Sequence, residues 1–297
     1  MNMNWTGVIP ATTTAFNPDY SVDHAFVAKH AEWLIENGCS GIVALGSLGE
    51  SATLRFDEKV AILKTLVKAL DGKAPVVAGI ASLSTAEAVD LAKAAKDAGC
   101  SGLMVLPPYV YSTDWREMKA HVKAVIRATD LSCMLYNNPV AYKTDFLTHQ
   151  IAELAAENAN LHAVKESSGD VRRVTALKAV CGDRLQILVG VDDVIVEGVR
   201  AGAVGWIAGM VCATPKESVA LFEGARDGKN VDALYAWSLP LLRMDTVPKF
   251  VQLIKLAQQE AGMGHERVRP PRLVLEGTER EAALKDIRAA LANRPKL

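Results

Sequence analysis

The chain has 297 residues, 50% of them hydrophobic, which is enough to bury the core of one sizeable domain. Its 33 basic and 34 acidic side chains nearly cancel, which argues against a nucleic-acid-binding surface or an acidic tail. The sequence contains neither a secretion signal nor an apolar stretch long enough for a membrane span. We therefore expect a soluble cytoplasmic protein with no membrane partner, whose five scattered cysteines are reduced and buried.

Eight short apolar runs, rich in Val, Ile, Leu and Ala, alternate along the chain with amphipathic stretches of helical length. Such strands, separated by helices, are typical of a parallel sheet that is covered on its outer face. The runs are GVIPATTTAF (7–16), GIVALGS (41–47), PVVAGIAS (75–82), GLMVLPP (102–108), CMLYNNP (133–139), LHAVKES (161–167), LQILVGVDD (185–193) and VGWIAGMVC (204–212). The predicted helices between and after them are 22–37, 56–70, 85–98, 115–129, 145–158, 171–180, 194–201 and 214–226.

The eight strand–helix units favour a (β/α)8 TIM barrel, with an open doubly wound sheet as the structural alternative. Beyond residue 228 the pattern changes to three helices, at 231–242, 249–261 and 278–292, interrupted by the extended segment VRPPR (268–272). We therefore expect two parts, a catalytic barrel domain at 1–228 and a helical C-terminal extension at 229–297 that is suited to an oligomer contact.

Lys165 lies near the end of the sixth run, and functional groups of TIM barrels lie at the carboxyl ends of strands. Strand alternation puts Ala163 and Lys165 on one face and Val164 and Glu166 on the other. Burial lowers the pKa of an amine and makes it a nucleophile for carbonyl carbons. The alternative is a structural ion pair, or a lysine that reaches the rim of the barrel.

Two other strand ends carry candidate groups. Tyr136 ends the fifth run and is either a proton carrier or a core tyrosine. The turn GSLGE (46–50) either binds a carboxylate through its amides and the Ser47 hydroxyl or is a plain connection. Further polar candidates at strand ends are Thr12, Tyr109 and Asp192. No Walker loop and no cluster with metal-ligand spacing is present, so we predict neither a metal nor a cofactor.

The combination of GSLGE, YNNP (136–139) and VKES (164–167) resembles the dihydrodipicolinate synthase / N-acetylneuraminate lyase superfamily. The opening GVIPATTTAF, the GVDD at 190–193 and the VPKF at 247–250 extend the similarity over nearly the whole chain. The resemblance implies a Schiff-base lyase, a homotetramer or homodimer, in which Lys165 is the nucleophile and Tyr136 the proton carrier. It implies that Ser47 and the Leu48 amide bind the substrate carboxylate. The other substrate-binding residues that it implies are Thr13, Thr14, Gly190 and Asn137.

The sequence departs from the superfamily pattern at three places. Ala141 occupies the position where dihydrodipicolinate synthases carry an arginine for a second carboxylate. Val110 follows Tyr109 where a second tyrosine, which reaches a neighbouring subunit, is expected, although Tyr111 could replace it. Leu48 replaces a second hydroxyl residue of the turn. These changes argue against aspartate semialdehyde as a substrate, and the aliphatic Val140 and Ala141 give little support for a polyhydroxyl substrate.

The overall pattern most resembles 1-pyrroline-4-hydroxy-2-carboxylate deaminase, an enzyme of hydroxyproline degradation. We therefore expect a small 2-keto acid or cyclic imine as the substrate. The alternatives are 4-hydroxy-tetrahydrodipicolinate synthase, a 2-keto-3-deoxy sugar acid or N-acetylneuraminate aldolase or dehydratase, and a metal-dependent barrel lyase. An alternative of another class is a barrel that binds keto acids without catalysis.

Overall fold

The computed structural model describes residues 3–108 and 114–297, and a parallel eight-stranded sheet is its central feature. Each strand lies within one of the predicted apolar runs, except that β5 begins one residue earlier. The strands are β1 (Gly7–Pro10), β2 (Ile42–Ala44), β3 (Val76–Ile80), β4 (Gly102–Val105), β5 (Ser132–Asn137), β6 (Leu161–Glu166), β7 (Gln186–Val189) and β8 (Gly205–Ala208).

The sheet closes on itself. Its strand order is β1-β8-β7-β6-β5-β4-β3-β2, and a parallel bridge between Ala11 and Val43 joins the two end strands. The Thr12 amide donates a 2.9 Å hydrogen bond to the Val43 carbonyl at the same seam. The fold is therefore a (β/α)8 TIM barrel, as predicted, and not an open doubly wound sheet.

The helices cover the barrel and continue beyond residue 228, which confirms the helical C-terminal part, while the domain boundary stays a prediction. No described helix is long and apolar enough to cross a membrane. The helices are α1 (His24–Glu36), α2 (Phe56–Leu70), α3 (Thr85–Asp97), α4 (Trp115–Arg127), α5 (Pro139–Tyr142), α6 (Thr148–Glu157), α7 (Arg172–Cys181), α8 (Ile195–Arg200), α9 (Pro215–Arg226), α10 (Asp232–Leu242), α11 (Phe250–Glu260) and α12 (Gly277–Ala292).

Two hydrophobic layers follow from strand alternation. Outward-facing residues such as Ala78 and Val164 pack in the large core beneath the helices. The inner layer receives a side chain from every strand: Ile9, Val43, Val77, Met104, Met134, Ala163, Leu188 and Ile207. Lys165 lies two residues beyond Ala163 along β6, and Tyr136 two residues beyond Met134 along β5, so both share the inward face at the carboxyl end.

Candidate active site

Lys165 lies inside the barrel, as strand alternation predicts, with 6% of its surface exposed. It pairs in register with Tyr136 of the neighbouring strand, and its Nζ lies 4.0 Å from the centroid of the Tyr136 ring. Among the described residues no carboxylate forms an ion pair with it, so the structural alternative of a Lys165–Glu166 pair is wrong. Gly190 makes room for the side chain, because a Cβ atom at that position would lie 2.5 Å from Lys165 Cε.

Burial lowers the pKa of Lys165 to about 8, against the opposing influence of the Asp245 and Asp192 charges. Roughly a tenth of the amine is then unprotonated at neutral pH, far more than for an exposed lysine. This amine has the reactivity that imine formation with a carbonyl carbon requires.

Tyr136 is a buried tyrosine whose hydroxyl accepts a 3.0 Å hydrogen bond from Asn138 Nδ2. Burial raises its pKa to about 12, so the hydroxyl is protonated in the resting site. The ring of Tyr142 packs edge-on against it, with a centroid separation of 5.7 Å. The Tyr142 hydroxyl also hydrogen-bonds Ser47 Oγ, so the hydroxyl groups of Tyr136, Tyr142 and Ser47 are linked, and the Tyr136 ring connects them to the Lys165 amine.

Tyr142 was missed by the sequence reasoning, because its place depends on the short helix α5. Asn138 Oδ1 caps this helix by accepting a 2.9 Å hydrogen bond from the Ala141 amide. The cap folds the chain back after β5 and directs Tyr142 toward Ser47. The strand-end candidate Tyr109 and Tyr111, the suggested replacement for the intersubunit tyrosine, lie outside the described residues.

The GSLGE turn presents backbone donors at the end of β2. Within the described part of the chain, the amides of Ser47 and Leu48 donate to no protein acceptor. Thr14 Oγ1 donates a 2.7 Å hydrogen bond to the Gly49 carbonyl, which holds the backbone of the turn in place. Glu50, the last residue of the turn, adopts a left-handed φ of 55°. Free amides beside a serine hydroxyl can hold a carboxylate.

Besides Thr14, two further predicted substrate-binding residues use their side chains in hydrogen bonds within the protein. Thr13 Oγ1 donates a 2.8 Å hydrogen bond to Gln258 of α11. Asn137 is fully buried, donating to Glu166 at 3.1 Å and accepting from the Phe146 amide at 3.0 Å. These contacts hold the carboxyl ends of the strands in position, and substrate contact by either residue stays a prediction.

Two carboxyl groups adjoin the lysine. Asp192 is fully buried, and burial raises its pKa to about 6. Asp245, which sequence reasoning did not single out, comes from the 3-10 turn Arg243–Thr246 after α10. Burial and the Asp192 charge raise the pKa of Asp245 well above its ordinary value, while the Lys165 charge opposes this shift. No group of three potential metal ligands occurs among the described residues.

A buried amine of lowered pKa beside a buried tyrosine hydroxyl, at the carboxyl end of a (β/α)8 barrel, is typical of the class I lyases. The comparisons with known proteins agree, since residues 4–290 match the model of the Dihydrodipicolinate synthetase family. The chain therefore belongs to this family and is an enzyme of the class I lyase type.

Individual relatives agree over most of their length. A 4-hydroxy-tetrahydrodipicolinate synthase of Pelobacter propionicus is 30% identical over 269 residues, 89% of this chain and 91% of the relative. A dihydrodipicolinate synthase structure from Acinetobacter baumannii, complexed with pyruvate, is 30% identical, with a TM-score of 0.89 over 96% of this chain and 99% of that one. One from Bacillus anthracis is 26% identical, with a TM-score of 0.92 over 99% and 100% of the two chains.

Tyr136→Phe is expected to slow turnover by about 100-fold, the usual effect of losing a proton-transfer group. The measurement is steady-state turnover, with thermal unfolding as a check on the fold. Tyr20→Phe is the control, because Tyr20 is 45% exposed. Activity of Tyr136→Phe within a few-fold of the unchanged enzyme would show that Tyr136 is only a core residue.

Proposed function

We propose that this enzyme forms a Schiff base between Lys165 and a small 2-oxo acid or cyclic imine that carries a single carboxylate. The supporting observation is that acidic, and not basic, groups surround the Lys165 amine. The two charged groups that act on its pKa, Asp245 and Asp192, are both acidic. The donors suited to a substrate carboxylate are the Ser47 hydroxyl and the amides of Ser47 and Leu48, which have no acceptor in the described part of the chain.

A second carboxylate on the substrate would lack a partner. Ala141, at the position of the family's arginine, is exposed on α5 and offers no side-chain donor. Val140 beside it is 64% exposed and equally unable to donate. Taking an unpaired carboxylate out of water costs several kcal/mol, and the Asp192 charge near Lys165 adds to this cost.

We propose 4-hydroxy-1-pyrroline-2-carboxylate as the first candidate substrate, because its single carboxylate adjoins the imine carbon C2. The Lys165 amine adds to C2 and the bond from C2 to the ring nitrogen breaks, which leaves a primary amine on C5. A proton leaves C3, the 4-hydroxyl departs as water, and tautomerisation moves the unsaturation to C5.

Water then hydrolyses the C5 imine, which releases ammonia, and a further water hydrolyses the Schiff base. The products are 2-oxoglutarate semialdehyde and ammonia, with a net consumption of one water. In this proposal the linked hydroxyl groups of Tyr136, Tyr142 and Ser47 carry the protons.

The second candidate is 4-hydroxy-tetrahydrodipicolinate synthase, which is favoured by the names of the relatives at 30% to 34% identity. Pyruvate, present in the Acinetobacter structure, would then bind Lys165. Against this candidate stands Ala141, since the second substrate of that reaction leads to a dicarboxylate product. A homotetramer or homodimer remains part of the proposal.

A side-by-side assay separates these functions. The hydroxypyrroline, pyruvate with aspartate semialdehyde, and N-acetylneuraminate are given to the enzyme, and ammonia release and pyruvate turnover are read separately. We expect ammonia release from the hydroxypyrroline with the highest kcat/KM. Much more efficient turnover of either other substrate would reject the deaminase function and leave the Schiff-base mechanism standing. Failure with all three and no Lys165 adduct would support a binding barrel.

A further inference from the structure

Asp245 reaches the barrel interior from outside the strand–helix repeat. The 3-10 turn that carries it follows α10 and packs against the turn Asp192–Val194 after β7. Its carboxylate lies over Gly209 at the end of β8, where a Cβ atom would be 2.6 Å from Asp245 Oδ1. The C-terminal helical region thus supplies an acidic group to the end of the barrel where the amine lies.

Asp192 and Asp245 have different surroundings. The Asp192 carboxylate accepts four hydrogen bonds from backbone amides and an indole. They include one of 2.8 Å from the Met210 amide and one of 3.1 Å from Trp206 Nε1. Its oxygens are therefore committed to the loop after β8. Asp245 is only half-buried and accepts a hydrogen bond from the backbone of Asp192, but among the described residues no side chain donates to it and no cation pairs with it. Of the two carboxyl groups, Asp245 is the one available to a substrate.

Ser167 places a further hydroxyl group beside Lys165. Its side chain is 1% exposed, and its Oγ lies near enough to the Tyr136 hydroxyl to lower the pKa of that tyrosine, while no group in the described part of the chain meets full hydrogen-bond geometry with it. A Cβ atom on Gly190 would lie 2.0 Å from this Oγ and 2.5 Å from Lys165 Cε, so the two side chains flank the same backbone position. A buried hydroxyl whose hydrogen bond is incomplete is less stable than one with a full partner, and a polar substrate atom beside Lys165 would complete it.

We propose that Asp245 contacts the substrate and protonates the hydroxyl group that leaves from the second carbon beyond the Schiff-base carbon. This inference rests on the proposed Schiff-base function of Lys165. It assigns the substrate class as 2-oxo acids or imines with a hydroxyl leaving group at that carbon.

The step balances without any further reactant. In the enamine, the nitrogen lone pair of Lys165 moves into the bond to C2, and the C2–C3 double bond moves to C3–C4. The C4–O bond breaks and its electron pair leaves with oxygen, which takes the Asp245 proton and departs as water. The enzyme takes up one proton when C3 is deprotonated to form the enamine and gives up one proton from Asp245 to the leaving hydroxyl, so no proton is gained or lost overall. The raised pKa of Asp245 suits this role, because the group keeps a proton where ordinary carboxyls have lost it.

The test compares Asp245→Asn with Asp193→Asn. Asp193 is the matched control, because its carboxylate lies in the adjoining turn, 4.0 Å from Arg243. We expect Asp245→Asn to lower turnover of the hydroxypyrroline by about 100-fold or more, the size of a general-acid contribution. Borohydride trapping of pyruvate on Lys165, compared at the high-pH plateau where the amine is unprotonated in both proteins, should stay within about threefold, since trapping involves no leaving hydroxyl. Asp193→Asn should leave both measurements near those of the unchanged enzyme.

A 4-fluoro analogue of the substrate separates acid catalysis from a structural effect. Fluoride leaves without a proton, so Asp245→Asn should process the analogue within about threefold of the unchanged enzyme. The acid role would be overturned if Asp245→Asn lost turnover equally on the hydroxypyrroline and on the fluoro analogue. It would also be overturned if the variant turned over the hydroxypyrroline within about threefold of the unchanged enzyme. The acid role would likewise be overturned if the enzyme carried out only aldol reactions and eliminated no hydroxyl group from any substrate. Failure of the proposed function appears separately, as the absence of a Lys165 adduct in the unchanged enzyme.

Discussion

Lys165→Ala should abolish both covalent trapping and turnover, because a covalent step through this amine has no substitute. Incubation of the unchanged enzyme with pyruvate and borohydride should add one reduced adduct to the peptide that contains VKESS (164–168). The trapping rate should rise about tenfold per pH unit below the pKa of about 8 and level off above it, because only the unprotonated amine attacks.

Lys59 provides a matched control for this experiment. It is another buried lysine, 5% exposed, whose pKa is also lowered by burial, but it lies on α2 outside the barrel strands. Lys59→Ala should keep the adduct on the VKESS peptide and the same pH dependence. An adduct on a different lysine, or trapping that survives Lys165→Ala, would reject the assignment of the nucleophile.

The barrel and its central pair could be predicted because both depend on local patterns. Apolar runs and amphipathic stretches define the strands and helices, and a period of two places Lys165 on the inner face. The sequence could not supply the register between β5 and β6, which sets Tyr136 directly beside Lys165. That register depends on contacts between strands, including a shift between Cys133 and Met134.

The residues that sequence reasoning missed depend on long-range or very short structure. Tyr142 reaches Ser47 through a helix of four residues, too short to show a periodic pattern. Asp245 enters the site from the region after the barrel repeat, so strand-end rules do not include it. Thr13 lies at a strand end as predicted, yet its hydroxyl is taken by Gln258, 245 positions away in the chain. Chemical type and strand position therefore identify candidates, while side-chain partners decide which groups are available.

The other missed contact is a buried ion pair that joins the GSLGE turn to the C-terminal helices. Lys255 Nζ on α11 lies 2.5 Å from Glu50 Oε1, and the two side chains are 2% and 0% exposed. The Arg269 amide donates a 3.0 Å hydrogen bond to the other Glu50 oxygen, and Lys255 Nζ donates one of 2.8 Å to the Arg267 carbonyl. Three groups of the C-terminal region, Lys255, the Arg267 carbonyl and the Arg269 amide, thus fix the GSLGE turn.

Lys255→Met should lower the free energy of unfolding by about 3–5 kcal/mol, because it leaves the Glu50 carboxylate buried without its cation. The measurement is urea unfolding analysed by linear extrapolation. The double variant Glu50→Gln with Lys255→Met should recover much of the loss, since neither charge then remains unpaired. Lys249→Met is the control, because its ion pair with Glu279 is about half exposed and such pairs contribute about 0–1 kcal/mol. If Lys255→Met were no more destabilising than Lys249→Met, the ion pair between Lys255 and Glu50 would not be the contact that stabilises the GSLGE turn.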